Sequence, residues 1–181
     1  PATLRRQRQM CIRDRAPDVP FTASVVAGTS GAADGGSFAD IDNDGDLDLF
    51  LASAGAGRLY EWDQMSSSYT DITVAAGGPF LGDSTGIFGD FDNDGDTDLL
   101  TVDSGVGTTL YRNNFIGLGT KTFTDVTTAE SAGVTGTLTQ AFWLDHNNDG
   151  YLDFLVLDGD GGGNHLMENQ RGAMTPSNSF L

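Results

Sequence analysis

Three stretches of this sequence concentrate the side chains that could do chemistry. They are Asp40-Ile41-Asp42-Asn43-Asp44-Gly45-Asp46-Leu47-Asp48, Asp90-Phe91-Asp92-Asn93-Asp94-Gly95-Asp96-Thr97-Asp98 and Asp145-His146-Asn147-Asn148-Asp149-Gly150-Tyr151-Leu152-Asp153. Their 27 positions hold 13 of the 26 acidic residues, and carboxylates this close repel unless a cation lies among them. Oxygen-bearing residues at alternate positions, with Gly at the sixth for a sharp turn, describe a Ca²⁺ loop. Positions 1, 3 and 5 would supply side-chain oxygens: Asp40, Asp42 and Asp44; Asp90, Asp92 and Asp94; Asp145, Asn147 and Asp149. Position 7, which is Asp46, Asp96 or Tyr151, would supply its backbone carbonyl, so a tyrosine is tolerated there. Asp48, Asp98 and Asp153 at position 9 would close each site. Hard oxygen donors favour Ca²⁺ over Zn²⁺ or Cu²⁺, and Mg²⁺ fits less well because it keeps its waters and demands an octahedron. The plain alternative is a solvated acidic turn, which would have to recur three times at one repeating position. The third loop is the weakest, since Asn147 replaces a carboxylate and Tyr151 removes another charge.

These loops sit in a repeat. The leading aspartates are spaced by 50 and 55 residues. Each loop is followed by Leu59-Tyr60, Leu110-Tyr111 or Leu166-Met167, and the first two then by Tyr69-Thr70-Asp71-Ile72-Thr73 and Phe123-Thr124-Asp125-Val126-Thr127. Phe21 to Val25 reads as the same element from a preceding unit. The segments between the loops are short, β-branched or aromatic, and divided by Gly and Ser clusters at 53–57, 103–107 and 159–163, which is the pattern of strands and tight connections. A true EF-hand is excluded, because position 12 is Leu51, Thr101 or Val156 rather than Glu and the flanks do not read as helices. Four short strands per roughly 50 residues is the arithmetic of a β-propeller blade. The expectation is an all-β chain of four-stranded antiparallel blades, about three of them, in an incomplete propeller. The third unit reads as stopping after Leu166 to Asn169 without a clear fourth strand, so the repeats span 16–170 and residues 171–181 form a tail. Phe38, Phe88 and Trp143, each two residues before a loop, are expected to pack in the core between blades.

The run Phe38 to Phe50, then Leu59-Tyr60, then Tyr69 to Thr73 with Ala76-Gly77, resembles the FG-GAP/VCBS repeat. The second unit, with Leu110-Tyr111-Arg112-Asn113-Asn114 and Phe123 to Thr127, resembles it more closely. The resemblance implies blades of an integrin-α-like propeller, each with Ca²⁺ in the hairpin between its first and second strands. By matching position the ligands would be Asp40, Asp42, Asp44, Asp48, Asp90, Asp92, Asp94, Asp98, Asp145, Asn147, Asp149 and Asp153. It also implies an extracellular, surface or periplasmic setting, adhesion or binding of a protein or carbohydrate ligand, and further blades of the same parent chain as partners. Closed propellers have roughly 4–8 blades, so the chain reads as a fragment of a longer protein.

The rest of the sequence removes competing classes. The formal charge is −17, which argues against a nucleic-acid surface. One cysteine, Cys11, leaves neither a disulfide framework nor a Cys-based zinc site. No apolar run approaches the roughly 18–20 residues of a membrane span. Residues 1–15 carry five of the nine basic residues, a segment that is either a basic arm or foreign to the domain. His146 is read as an outward loop residue and His165 as a strand or rim residue. No catalytic residue is assigned, since no nucleophile motif or acid–base pair accompanies either histidine. The competing class is an accessory part of an extracellular polysaccharide- or phosphoester-active enzyme, which would need a cleft outside the three loops.

Overall fold

The computed structural model describes residues 26, 29, 33–54 and 56–177. The basic segment 1–15, the element Phe21 to Val25 and the last four residues lie outside the described residues.

Among the described residues twelve strands form three four-stranded antiparallel sheets, each a simple meander. The first contains β1 (Gly35–Ala39), β2 (Asp48–Ala52), β3 (Arg58–Asp63) and β4 (Ser68–Asp71). The second contains β5 (Thr85–Gly89), β6 (Asp98–Asp103), β7 (Gly107–Asn113) and β8 (Phe123–Asp125). The third contains β9 (Leu138–Leu144), β10 (Asp153–Asp158), β11 (His165–Gln170) and β12 (Ala173–Pro176). A single turn of helix, α1 (Phe115–Leu118), interrupts the β7–β8 connection. The three sheets do not close on one another, as in an incomplete propeller. One expectation is corrected here. The third blade does not stop near residue 170, because Ala173–Pro176 pairs with β11 as a fourth strand. Its short Ala-Met-Thr-Pro composition carries only one apolar side chain that buries, Met174, so the strand left almost no pattern to read.

The register repeats from blade to blade. Ala39 faces Asp48 and Gly89 faces Asp98 at the mouth of each acidic loop, and Leu144 faces Asp153 at the third. The second strands β2 and β6 are buried at nearly every residue, since each lies inside its sheet, and β6 also lies between two neighbouring blades. That explains why their sequences run apolar instead of alternating. Phe50, Leu59, Ala76 and Phe80 of the first blade join Leu99, Tyr111 and Phe123 of the second in one core. Leu100, Leu110 and Val126 join Ala141, Phe154, Val156 and Met174 in another. Phe88 and Trp143 are partly buried against these cores, with Phe88 edge-on to Phe50 at 6.5 Å and the Trp143 indole N–H donating to the Ile87 carbonyl at 3.4 Å. Phe38 departs from the expectation for this position. It is 55% exposed, because no described blade precedes β1.

Close approach of the blades depends on Gly86 in β5. A Cβ there would lie 2.3 Å from Cε1 of Phe50. Gly86→Ala is therefore expected to destabilise the chain by about 1–3 kcal/mol, the range for overpacking a filled core. Urea unfolding of the variant against the parent chain checks this.

Candidate metal centre

Each acidic loop spans the hairpin between the first and second strands of its blade. All three share one backbone frame. The first-position carboxylate is bound at both oxygens by the loop's own amides: Asp40 accepts from the Asp44 and Gly45 N–H groups, Asp90 from Asp94 and Gly95, and Asp145 from Asp149 and Gly150. The fifth-position carboxylate accepts from the amide two residues on, at 3.1, 2.8 and 3.0 Å for Asp44, Asp94 and Asp149. Asn43, Asn93 and Asn148 sit at φ near +58° and the sixth-position glycines at φ of 88° to 92°. Asn tolerates the left-handed region better than most residues, and glycine enters it without a steric cost. Thus the Asn-Asp-Gly order is what bends the chain into a cradle.

The ninth-position aspartates are buried. Asp48, Asp98 and Asp153 are exposed by 1%, 0% and 0%. Each bridges two backbone amides, one at position 2 of its loop and one on the blade's third strand. Asp48 accepts from Ile41 and Trp62, Asp98 from Phe91 and Asn113, and Asp153 from His146 and Asn169. These residues brace the hairpin as well as facing the loop. Burial drives the carboxyl of Asp48 up to about 6 and that of Asp98 up to about 8, against the lowering effect of their backbone amides.

The first two loops gather three acids each. One oxygen from each of Asp40, Asp42 and Asp48 lies within 4.8 Å of the others, and the same holds for Asp90, Asp92 and Asp98. Four carboxylate oxygens in these loops, Oδ1 of Asp42, Asp46, Asp92 and Asp96, are buried with no hydrogen-bond partner among the described residues. A buried anionic oxygen without a donor is costly, and an all-oxygen cradle of this kind fits a hard divalent cation. Burial and neighbouring acids accordingly raise the carboxyls of Asp46, Asp92 and Asp96. A profile of the FG-GAP-like repeat matches residues 40–101 and, in a second copy, 90–156. The two matches together cover more than half of the chain and begin on the first-position aspartates of the first two loops. The chain belongs to the FG-GAP-like repeat family. A comparison with curated proteins finds no match. Repeats of this family usually occur in extracellular or surface proteins and are typically non-enzymatic. No helix among the described residues is long and apolar enough to cross a membrane.

The third FG-GAP-like loop keeps the frame but not the acid cluster. Asn147 turns its amide group onto Asp149 at 3.1 Å and Glu168 at 3.4 Å. His146 does not point outward as expected. Its Nδ1 lies 2.6 Å from Oδ2 of Asp153, and that hydrogen bond raises the imidazole's pKa. So Asp145, Asp149 and Asp153 occupy the expected backbone positions, while a histidine takes an oxygen of Asp153. Tyr151 is held by its N–H to Asp149.

Sequence reasoning missed the groups that pair with the loops from outside. Lys121 reaches Asp42 from the second blade, and Arg112 on β7 reaches Asp92 at 2.8 Å. The side-chain amides of Asn113 and Asn169 donate to the carbonyls of Ile41 and Phe91 in the preceding blade's loop, at 2.8 and 2.7 Å. Asn113 and Asn169 lie two residues beyond Tyr111 and Met167, so the repeat alignment could have singled them out. Lys121 lies 79 positions from Asp42, and no local pattern connects the two.

Proposed function

We propose that this chain is a Ca²⁺-binding β-propeller segment of a secreted or surface protein, in which the cation is structural and the blades present a surface for a protein or carbohydrate ligand. The observation that carries the metal reading is the pair of three-acid clusters with orphaned buried oxygens beside them. The ion would be held by Asp40, Asp42 and Asp48 in the first loop and by Asp90, Asp92 and Asp98 in the second. Its chemistry is charge neutralisation, which would lock a self-repelling hairpin between the first and second strands of each of these two blades. Adhesion or ligand binding draws its support from the repeat family and its usual extracellular setting, where modules of this kind bind Ca²⁺ at about 10⁻⁴–10⁻³ M.

Thermal unfolding in EDTA, then in rising Ca²⁺ with Mg²⁺ as the control, tests the metal reading. The expected result is a Ca²⁺-selective rise in the midpoint, reduced in Asp40→Ala and again in Asp90→Ala. At 100 times the dissociation constant each site adds about 2.7 kcal/mol. A folded chain with the same midpoint in EDTA and Ca²⁺ would refute it. A glycan and protein binding screen on the Ca²⁺-loaded chain tests the ligand reading.

A further inference from the structure

In both clusters the third-position carboxylate is shared in the same way. Oδ2 of Asp42 is taken by the Lys121 ammonium, which also reaches Oε1 of Glu61 at 2.5 Å. Oδ2 of Asp92 is taken by the Arg112 guanidinium at 2.8 Å, which also reaches Oε1 of Glu130 at 3.0 Å. Oδ1 of each aspartate is left buried and unpartnered. Asp42 is only 6% exposed. In the third loop position 3 is the neutral Asn147, and the residue that meets it is the acid Glu168. Strand register makes Glu168 the counterpart of Glu61 and Arg112, each two residues beyond the leucine that pairs with the second strand. A base therefore accompanies position 3 where that position is a carboxylate, and an acid where it is neutral. Arg112 belongs to the same blade as its loop. Lys121 does not: it lies between α1 and β8 of the second blade and reaches back into the loop of the first.

We propose that Lys121 is an inter-blade counter-cation of the first loop, which holds the Asp42 carboxylate in place when no metal is bound and lowers the loop's affinity for a divalent cation. The inference rests on the reading of that loop as a metal site. Lys121 fixes one oxygen of Asp42 and aims the other inward, and its charge opposes the entry of a second cation a few ångströms away. It also ties the occupancy of the first loop to the packing of the second blade. Lys121 is thus a positioning residue that couples neighbouring blades through a metal ligand.

The test uses the full chain with the second loop silenced by Asp90→Asn. Ca²⁺ affinity is measured by titration calorimetry, and the melting midpoint is measured separately in EDTA. Lys121→Met is expected to raise the Ca²⁺ affinity on the order of ten-fold, the Coulomb effect of removing one nearby charge. The same change should lower the midpoint in EDTA by about 2–4 °C, and this drop should shrink in an Asp42→Asn background, where Lys121 keeps only its pair with Glu61. Lys121→Gln keeps a donor of similar length, carries the same expectation, and decides the matter if the Met variant does not fold. Unchanged or weaker Ca²⁺ binding in the variants, with binding intact in the parent, overturns the proposal. Absence of binding in the parent itself overturns the metal reading instead.

Discussion

Asp98→Ala is expected to destabilise the metal-free chain by about 3–5 kcal/mol. The reason is accounting of buried amides. Asp98 is fully buried and accepts from Phe91 N–H at 3.1 Å and Asn113 N–H at 2.8 Å. Truncation strands both donors where water does not reach, and each stranded donor costs about 1–3 kcal/mol. The loss spreads because Asn113 is itself anchored there. Its side-chain amide carries the bonds to Ile41 in the first blade's loop and to Thr97. Removing a carboxylate that burial already disfavours offsets part of this cost but does not reverse it. Asp94→Ala is the control, since Asp94 is exposed and caps only the Asp96 N–H; it should cost less than about 1 kcal/mol. Urea unfolding in EDTA separates the two. Equal effects at 94 and 98 would show that the ninth position is not a brace.

The second large effect is a pH dependence whose slope depends on metal. In the metal-free chain burial raises Asp48 to about 6 and Asp98 to about 8, from an ordinary value of 3.8. Between the ordinary and the raised values the folded chain holds protons that the unfolded chain has released. Stability is then greatest near pH 4 and falls as pH rises, first through about 6 for Asp48 and then through about 8 for Asp98. The net charge of −17 acts in the same direction by self-repulsion. A divalent cation favours the ionised carboxylates, so binding releases protons and the loss with rising pH should flatten or disappear. Unfolding free energies at about pH 5, 6.5 and 8, in EDTA and in millimolar Ca²⁺, give the two slopes. Parallel slopes would mean that the cation does not reach these carboxylates.

The acidic loops were legible because their information is local. The turn residues and oxygen donors of each cradle lie within nine positions, and the Asn-Asp-Gly turn, the alternating oxygens and the spacing between units all survive in one dimension. The strands around them were legible from β-branched and aromatic runs such as Thr108 to Tyr111. What stayed hidden was set by packing between blades. Phe38 and Phe88 look identical in sequence, yet one is 55% exposed and the other leans on Phe50 of the neighbouring blade. His146 reads as an outward residue because position 2 alternates with the oxygen-donor positions; its ring instead settles on Asp153, and Ile41 and Phe91 at the same position are buried. The fourth strand of the third blade was missed because Ala173–Pro176 buries only Met174 and otherwise pairs through its backbone. The ion pair from Lys121 to Asp42 depends on how two blades meet, which no window of the sequence contains.

The first two loops are expected to hold one divalent cation each. Native mass spectrometry of the chelator-stripped chain, returned to millimolar Ca²⁺, tests it most directly. Two bound ions are expected, one for each three-acid cluster. Asp40→Ala and Asp90→Ala should each leave one, and Asp145→Ala should leave the count unchanged. A folded chain that carries no Ca²⁺, or that keeps its full complement in both the Asp40 and Asp90 variants, would contradict it.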